Sequence, residues 1–130
     1  MLTQATLLPE SLSGVAERCY ASGHAALENG DDAQARLFFL LLALVEPRGA
    51  RSYLGLGLSS ERLRQHPLAA ALYALGLRLA GESPWLAFGY ARTLRILGRE
   101  HDAERAFDRA EASTREAAVL TVIARERACR

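Results

Sequence analysis

The sequence predicts an all-α fold: three tetratricopeptide repeats, hence six helices, plus a C-terminal capping helix in a right-handed superhelical stack. Three sets of residues recur every 34 residues, and each set keeps its residue type. The first set is small, the second is alanine and the third is aromatic: Gly23, Gly57, Ala91; Ala35, Ala69, Ala103; and Phe39, Tyr73, Phe107. A 34-residue period with these residue types is the signature of this helical repeat.

The frame set by Gly23 divides the chain into segments. The repeats cover residues 16–49, 50–83 and 84–117, and a capping helix over residues 113–130 overlaps the end of the third. Residues 1–15 are expected to be irregular or to form a short helix. A capping helix is required because the last repeat of a stack otherwise exposes an apolar face.

Turn residues fall where the frame places helix ends. They are Asn29-Gly30, Pro47, His66-Pro67, Gly81, Ser83-Pro84 and Gly98. Asp31 or Asp32 is predicted to cap the second helix. The capping box Ser113-x-x-Glu116 is predicted to open the last helix. Its apolar side chains, Leu120, Ile123 and Ala124, are expected to face the stack.

Composition excludes several classes of function. A net charge of +1 gives no strong field for nucleic acid or an anionic membrane. The longest apolar run is nine residues, 37–45, well below the ~20 that span a membrane. Cys19 and Cys129 are lone thiols, which suits a reducing compartment. We therefore expect a cytoplasmic protein that neither binds nucleic acid nor inserts into a membrane.

No catalytic or metal-binding constellation stands out. The three histidines, His24, His66 and His101, lack metal-ligand spacing. Gly55-x-Gly57 is too short for a dinucleotide fingerprint, and Gly57 already has a packing role in the repeat. A phosphate loop ending in Lys is excluded because the chain has no lysine. The sequence predicts no enzyme, no cofactor and no metal.

The first helices of stacked repeats line a concave groove, so we expect the chain to bind another polypeptide there. The positions that point into the groove carry apolar, aromatic and charged side chains typical of peptide recognition. The predicted client-binding residues are Tyr20, His24, Leu27, Leu54, Leu58, Glu61, Trp85, Phe88 and Arg92.

Several of these residues also have a purely structural interpretation. Tyr20, Leu54 and Phe88 are also compatible with the core between helices. Trp85 follows Pro84 in a first helical turn and could cover the preceding loop. His24 could be an ordinary polar residue, and Arg92 could belong to a solvated face.

The second helix is apolar on all sides over residues 37–45. A surface helix normally keeps a polar stripe. We therefore predict self-association through part of this helix, with Phe38 and Leu41 as the contact residues.

One stretch of the second repeat carries a family resemblance. Tyr53-Leu54-Gly55-Leu56-Gly57, followed by Ser60-Glu61-Arg62-Leu63, resembles the class II chaperones of type III secretion systems, of the SycD/LcrH type. The first repeat, from Tyr20 to Arg51, and the third, from Ser83 to Gly98, are also similar to that family.

The resemblance implies a cytoplasmic, non-enzymatic chaperone. Such a protein holds a segment of hydrophobic translocators in its groove and keeps them soluble and secretion-competent, and many members form homodimers. The alternative is a tetratricopeptide adaptor for another secretion component, such as a needle subunit. The short segment before the first repeat departs from the family, whose dimers use N-terminal helices.

Overall fold

The chain folds into seven α-helices with no strand among the described residues, which confirms the all-α prediction. This computed structural model describes the backbone of residues 2–129 and the side chains of residues 11–129. The helices are α1 (Leu2–Glu28), α2 (Asp32–Val45), α3 (Ala50–Arg62), α4 (His66–Leu79), α5 (Pro84–Ile96), α6 (Glu100–Ala112) and α7 (Ala117–Ala128).

Each helix packs against the next one along the chain. The odd-numbered helices also contact one another in succession, α1 with α3, α3 with α5 and α5 with α7. Over the described part of the chain, the even-numbered helices α2, α4 and α6 do not contact one another. The odd-numbered helices therefore line the inner side of a curved stack, and the even-numbered helices form its outer side.

The recurring aromatic side chains of the first two repeats, Phe39 and Tyr73, pack between neighbouring repeats. A Cβ added to Gly23 would come within 2.9 Å of the Phe39 ring, and one added to Gly55 within 2.3 Å. Tyr73 fits between Gly57 and Gly89 in the same way, at 2.3 and 2.5 Å. Each ring thus fills a space between two helices that only glycine leaves open.

The third aromatic residue, Phe107, has no fourth repeat to meet. It is nonetheless fully buried. The guanidinium groups of Arg95 and Arg127 lie 4.6 and 5.8 Å from its ring centroid. Such cation–π contacts stabilise by roughly 0.5–2 kcal/mol. The last repeat is therefore closed partly by charged side chains.

The capping helix differs in detail from its prediction. Val119 and Ile123, one turn apart, are the buried residues of α7. Leu120 is half-buried and Ala124 is exposed. The predicted capping box does not form, because the hydroxyl of Ser113 donates to the carbonyl of Ala110 at the end of α6. The helix consequently begins at residue 117, and its buried stripe starts one residue earlier than expected.

Two further local predictions were wrong. Residues 2–15 are neither irregular nor a short helix, since α1 is continuous from Leu2 to Glu28. Extending a packed helix adds one hydrogen bond per residue without a new nucleus, so α1 propagates past the repeat boundary. Asp31 occupies the N-cap of α2 but makes no side-chain cap bond, and its backbone, at ψ 68°, is outside the extended region. Ser83, by contrast, accepts from the backbone N–H of Leu86 as its cap position predicts.

The turn that ends the first helix of each repeat is the same in all three. Residues 30, 64 and 98 have positive φ, at 78°, 63° and 79°. Their N–H groups donate three residues back, and the following N–H groups donate five residues back. This is the Schellman arrangement, whose left-handed residue is usually glycine. Gly30 and Gly98 follow the rule, but the second repeat has Arg64.

Candidate peptide-binding groove

The inner face begins at α1, which contributes Tyr20, His24 and Leu27. Tyr20 and Leu27 are half-buried, whereas His24 is exposed. The Tyr20 ring packs edge-on against Phe39, and the guanidinium of Arg51 lies 4.7 Å from its centroid. His24 lies within 3.3 Å of the Glu28 carboxylate on its own helix. Repeat one therefore presents a partly exposed, rigidly held aromatic ring.

Arg51 links the first two repeats on this face. Its guanidinium donates to Glu17 at 2.7 Å and to both carboxylate oxygens of Glu46 at 3.0 Å. Glu17 and Arg51 occupy the same position in consecutive repeats. The hydrogen bond and charge of Arg51 lower the pKa of Glu17 below its usual range. The rim of the groove is thus ordered before any partner binds.

The middle of the face belongs to α3. Leu54 and Leu58 are half-buried, and each leaves part of its side chain open. Glu61 accepts two hydrogen bonds from Arg92, at 2.9 and 2.6 Å, and a third from the hydroxyl of Tyr73. Burial, and then the adjacent Glu61 carboxylate, raise the pKa of Tyr73 above its usual range. Glu61 and Arg92 are therefore predominantly engaged with each other across the second and third repeats.

Two aromatic residues of the third repeat, Trp85 and Phe88, were both predicted to contact the client, but they differ in burial. Trp85 has 39% of its surface exposed, whereas Phe88 has only 8%. Phe88 packs against Trp85, Phe107 and the guanidinium of Arg92. In this conformation Phe88 belongs to the core between helices, which was its alternative interpretation. Trp85 is the aromatic side chain available to a partner.

The helix α7 closes the far end of the face. Arg95 donates to the backbone carbonyls of Glu126, Arg127 and Cys129 at 2.6–3.1 Å. These carbonyls lie at the helix C-terminus, where no helical partner exists for them. Arg127 in turn pairs with Glu104, Asp108 and Glu111 of α6. Arg95, at a groove position by the repeat frame, is thus used to hold the capping helix.

A cleft of about 500 Å³ opens beside Leu58, Glu61 and Arg92. Its other walls are Asp32 at the start of α2, Arg62 at the end of α3, Arg64 in the turn that follows, and His66 at the start of α4. Sequence reasoning missed these four because they lie outside the groove positions of the repeat. The signal that was present is the 34-residue series of residues 30, 64 and 98, in which only one member is not glycine.

The outer side of the stack carries a stripe of exposed leucines on α2. Its members are Leu37, Leu40, Leu41 and Leu44, 48–74% exposed. They fall at i, i+3, i+4 and i+7, so they form one continuous face. Phe38, predicted together with Leu41 to mediate self-association, is half-buried. The exposed part of the predicted surface is therefore this stripe.

Neither a metal-binding cluster nor a membrane-spanning helix is present among the described residues. No group of three or more His, Cys, Asp or Glu side chains is arranged to hold a metal ion. None of the described helices combines the length and the apolar character needed to cross a membrane.

Solved structures share this architecture across most of the chain. PcrH, in complex with the chaperone-binding region of PopB, is 28% identical and superposes with a TM-score of 0.78; the match covers 87% of this chain and 92% of PcrH. A type III secretion complex from Aeromonas hydrophila matches at 26% identity and a TM-score of 0.82, over 92% of this chain and 81% of that one. The chain is a structural relative of the type III secretion translocator chaperones.

The resemblance read from the sequence is thereby confirmed. The Yersinia enterocolitica type III secretion translocator chaperone SycD has the same fold, with a TM-score of 0.82 at 23% identity, covering 93% of this chain and 91% of SycD. No family model and no curated protein matches the sequence. The similarity to the translocator chaperones is thus carried by the three-dimensional arrangement together with 26–28% identity in the first two structures.

Proposed function

We propose that this chain is a cytoplasmic chaperone of a type III secretion system, without catalytic activity. It binds a segment of hydrophobic translocator proteins in its concave groove and keeps them soluble and secretion-competent. The observation that carries the proposal is a groove with exposed apolar side chains on a fold that, in PcrH, is found with the chaperone-binding region of PopB.

The groove geometry suits an extended segment with spaced apolar anchors. Tyr20, Leu54, Leu58 and Trp85 are all partly open to solvent along the inner helices. Burying one such anchor contributes roughly 1.5–3 kcal/mol. Ordered ion pairs within the groove, such as Glu61 with Arg92, reduce the entropy lost when a partner binds.

The proposed mechanism is sequestration at equilibrium. A client segment held in the groove is removed from the pool that aggregates or inserts into a membrane. The chaperone binds only the free client segment, so by mass action it lowers the concentration of free client. The fraction of client protected therefore increases with the ratio of chaperone concentration to Kd. Neither covalent chemistry nor a cofactor is required.

Co-expression with a candidate hydrophobic translocator from the same genome tests the proposal. We expect that protein to be soluble and to co-purify with the wild-type chain. Trp85→Ala is expected to weaken the complex, whereas Leu75→Ala on α4 is the matched control, because the two side chains are 39% and 40% exposed. A secreted protein that is equally soluble without this chain contradicts the proposal.

A peptide scan of the client separates the proposal from its alternative. Binding of one short linear segment with spaced apolar residues supports a translocator chaperone. Binding of only a helix or a folded partner supports instead an adaptor for another secretion component, such as a needle subunit.

Self-association is a second part of the proposal. The leucine stripe of α2 would be covered when two copies pack their α2 helices together. Leu41→Glu is expected to shift sedimentation to smaller species while the circular dichroism of the helices is retained. Phe38→Glu tests the same surface, but its half-buried position also threatens the fold. A folded Leu41→Glu chain with an unchanged sedimentation profile removes self-association and leaves the groove function intact.

A further inference from the structure

Arg64 adopts a backbone conformation that is unfavourable for it. Its φ of 63° lies in the left-handed region, which a residue with a side chain adopts less favourably than glycine. The equivalent residues of the other two repeats are Gly30 and Gly98. The hydrogen bonds of the turn are the same in all three, so folding does not require an arginine at this position.

The Arg64 side chain lines the cleft beside the groove. The cleft also contains Leu58, Glu61 and Arg92, three of the predicted client-binding residues. A group on this wall therefore reaches the same partner that fills the groove.

Arg64 is also the cation of the cleft whose charge is not neutralised. Arg92 is paired with Glu61 at 2.6 Å. Arg62 lies 3.5 Å from Asp32 and donates to the carbonyl of Leu27. Among the described residues, Arg64 has neither a salt bridge nor a side-chain hydrogen bond. The cleft also contains a buried ring nitrogen, Nδ1 of His66, that has no hydrogen-bond partner.

We propose that Arg64 binds a carboxylate side chain of the client, next to an apolar client residue that contacts Leu58. This inference rests on the proposed function and specifies the chemistry that the groove recognises. A guanidinium suits this role because it can donate two parallel hydrogen bonds to a carboxylate. The strained backbone at Arg64 is retained for this contact, as strain at functional sites commonly is.

A carboxylate partner fits better than a polyanion. Asp32 and Glu61 offset the charges of Arg62 and Arg92, so the cleft keeps one positive charge, which matches one carboxylate rather than a row of phosphates. The net charge of the whole chain, +1, is too small to hold nucleic acid or an anionic surface.

Variants at position 64 separate the charge from the backbone strain. Arg64→Gln removes the charge and keeps the strain, so the melting temperature of the free chain should stay within about 1 °C. Arg64→Gly removes both, so its melting temperature should rise by about 3–8 °C. Both should weaken client binding by about tenfold, ~1.4 kcal/mol, at low salt. Arg64→Lys keeps the charge but cannot donate two parallel hydrogen bonds from a planar group, so client affinity should fall only about two- to threefold.

The probe is the proteolytically protected fragment of the co-purified translocator, measured by calorimetry. Arg78→Gln is the matched control, because Arg78 is exposed on α4 and has no ion pair among the described residues. Its Kd should equal that of the wild type. Replacing the client's acidic residues by their amides should remove the difference between wild type and Arg64→Gln.

The outcomes are distinguishable. If the wild type does not bind the translocator, the proposed function is wrong and this inference falls with it. If the wild type binds and Arg64→Gln and Arg64→Gly bind equally well, only the role of Arg64 is overturned. Loss of binding that persists with the amide-substituted fragment also overturns the carboxylate contact.

Discussion

Replacing Gly57 with alanine gives the most direct test of how the repeats are held together. The new Cβ would lie 2.3 Å from a carbon of the Tyr73 ring, whereas ordinary contact begins near 3.4 Å. The ring would have to move by about 1 Å. It is fully buried, and its hydroxyl is bonded to Glu61, so it has nowhere to go.

The expected cost follows from two opposing effects. Overpacking a dense core typically costs about 1–3 kcal/mol. Alanine has a higher helix propensity than glycine, and this difference stabilises the folded chain by about 1 kcal/mol. The net loss for Gly57→Ala is then about 0–2 kcal/mol, or up to about 8 °C in melting temperature for a chain of this size.

Gly14→Ala is the matched control. Gly14 also lies inside a helix, α1, but beyond its own helical turn no atom of the described residues is within 4 Å of its added Cβ. Only the helix-propensity gain remains, so this variant should be more stable than the wild type by about 0.5–1 kcal/mol. Thermal and urea unfolding of both variants, followed by circular dichroism, measure the difference.

A double-mutant cycle identifies the contact. Gly57→Ala should cost less in a Tyr73→Leu background, because the ring that obstructs the Cβ is gone. If Gly57→Ala is as stable as Gly14→Ala, the interlocking of ring and glycine is not what holds the second repeat.

Three further predictions concern single residues. Phe107→Ala should lower the free energy of unfolding by roughly 3–5 kcal/mol because the ring is fully buried, and urea unfolding measures it. Tyr73 has a raised pKa, so the unfolded chain loses that proton first and stability falls as pH rises above ~10. Absorbance titrations count the tyrosines that ionise. The folded wild type and folded Tyr73→Phe should therefore ionise the same number of tyrosines, whereas in denaturant the wild type should ionise one more. Arg95→Ala should leave the α7 carbonyls unpaired, which increases hydrogen exchange in α7 while α3 and α4 stay protected; equal exchange in α7 would contradict that role.

The repeat pattern predicted the packing of the core well. Ala35, Ala69 and Ala103 are fully buried, and the aromatic residues at 39, 73 and 107 have at most 2% exposure. A pattern of residue types predicts packing because each small residue is needed where a ring lies. Gly55 and Gly89 recur at the same spacing and receive the rings of the preceding repeats, so the sequence held this further information.

The groove was predicted less completely. Position within a repeat identifies the side chains on the inner face, but not how deeply each is buried. Trp85 and Phe88 are only three residues apart, yet Trp85 is exposed to solvent and Phe88 is buried. The side chains that cover Phe88 are Trp85, Arg92 and Phe107. Part of that difference comes from Phe107 on α6, and a periodicity does not contain such a contact between helices.

The sequence by itself determined the all-α class, the three interlocked aromatic positions and the resemblance to translocator chaperones. These follow from local residue types and a fixed period, which any reader of the chain can count. Only the tertiary structure decided that Arg95 holds α7 and that Arg64 lies in a cleft beside Leu58 without an ion pair to any described residue. Both depend on side chains distant in sequence meeting in space, because pairing and burial are properties of the packed helices together.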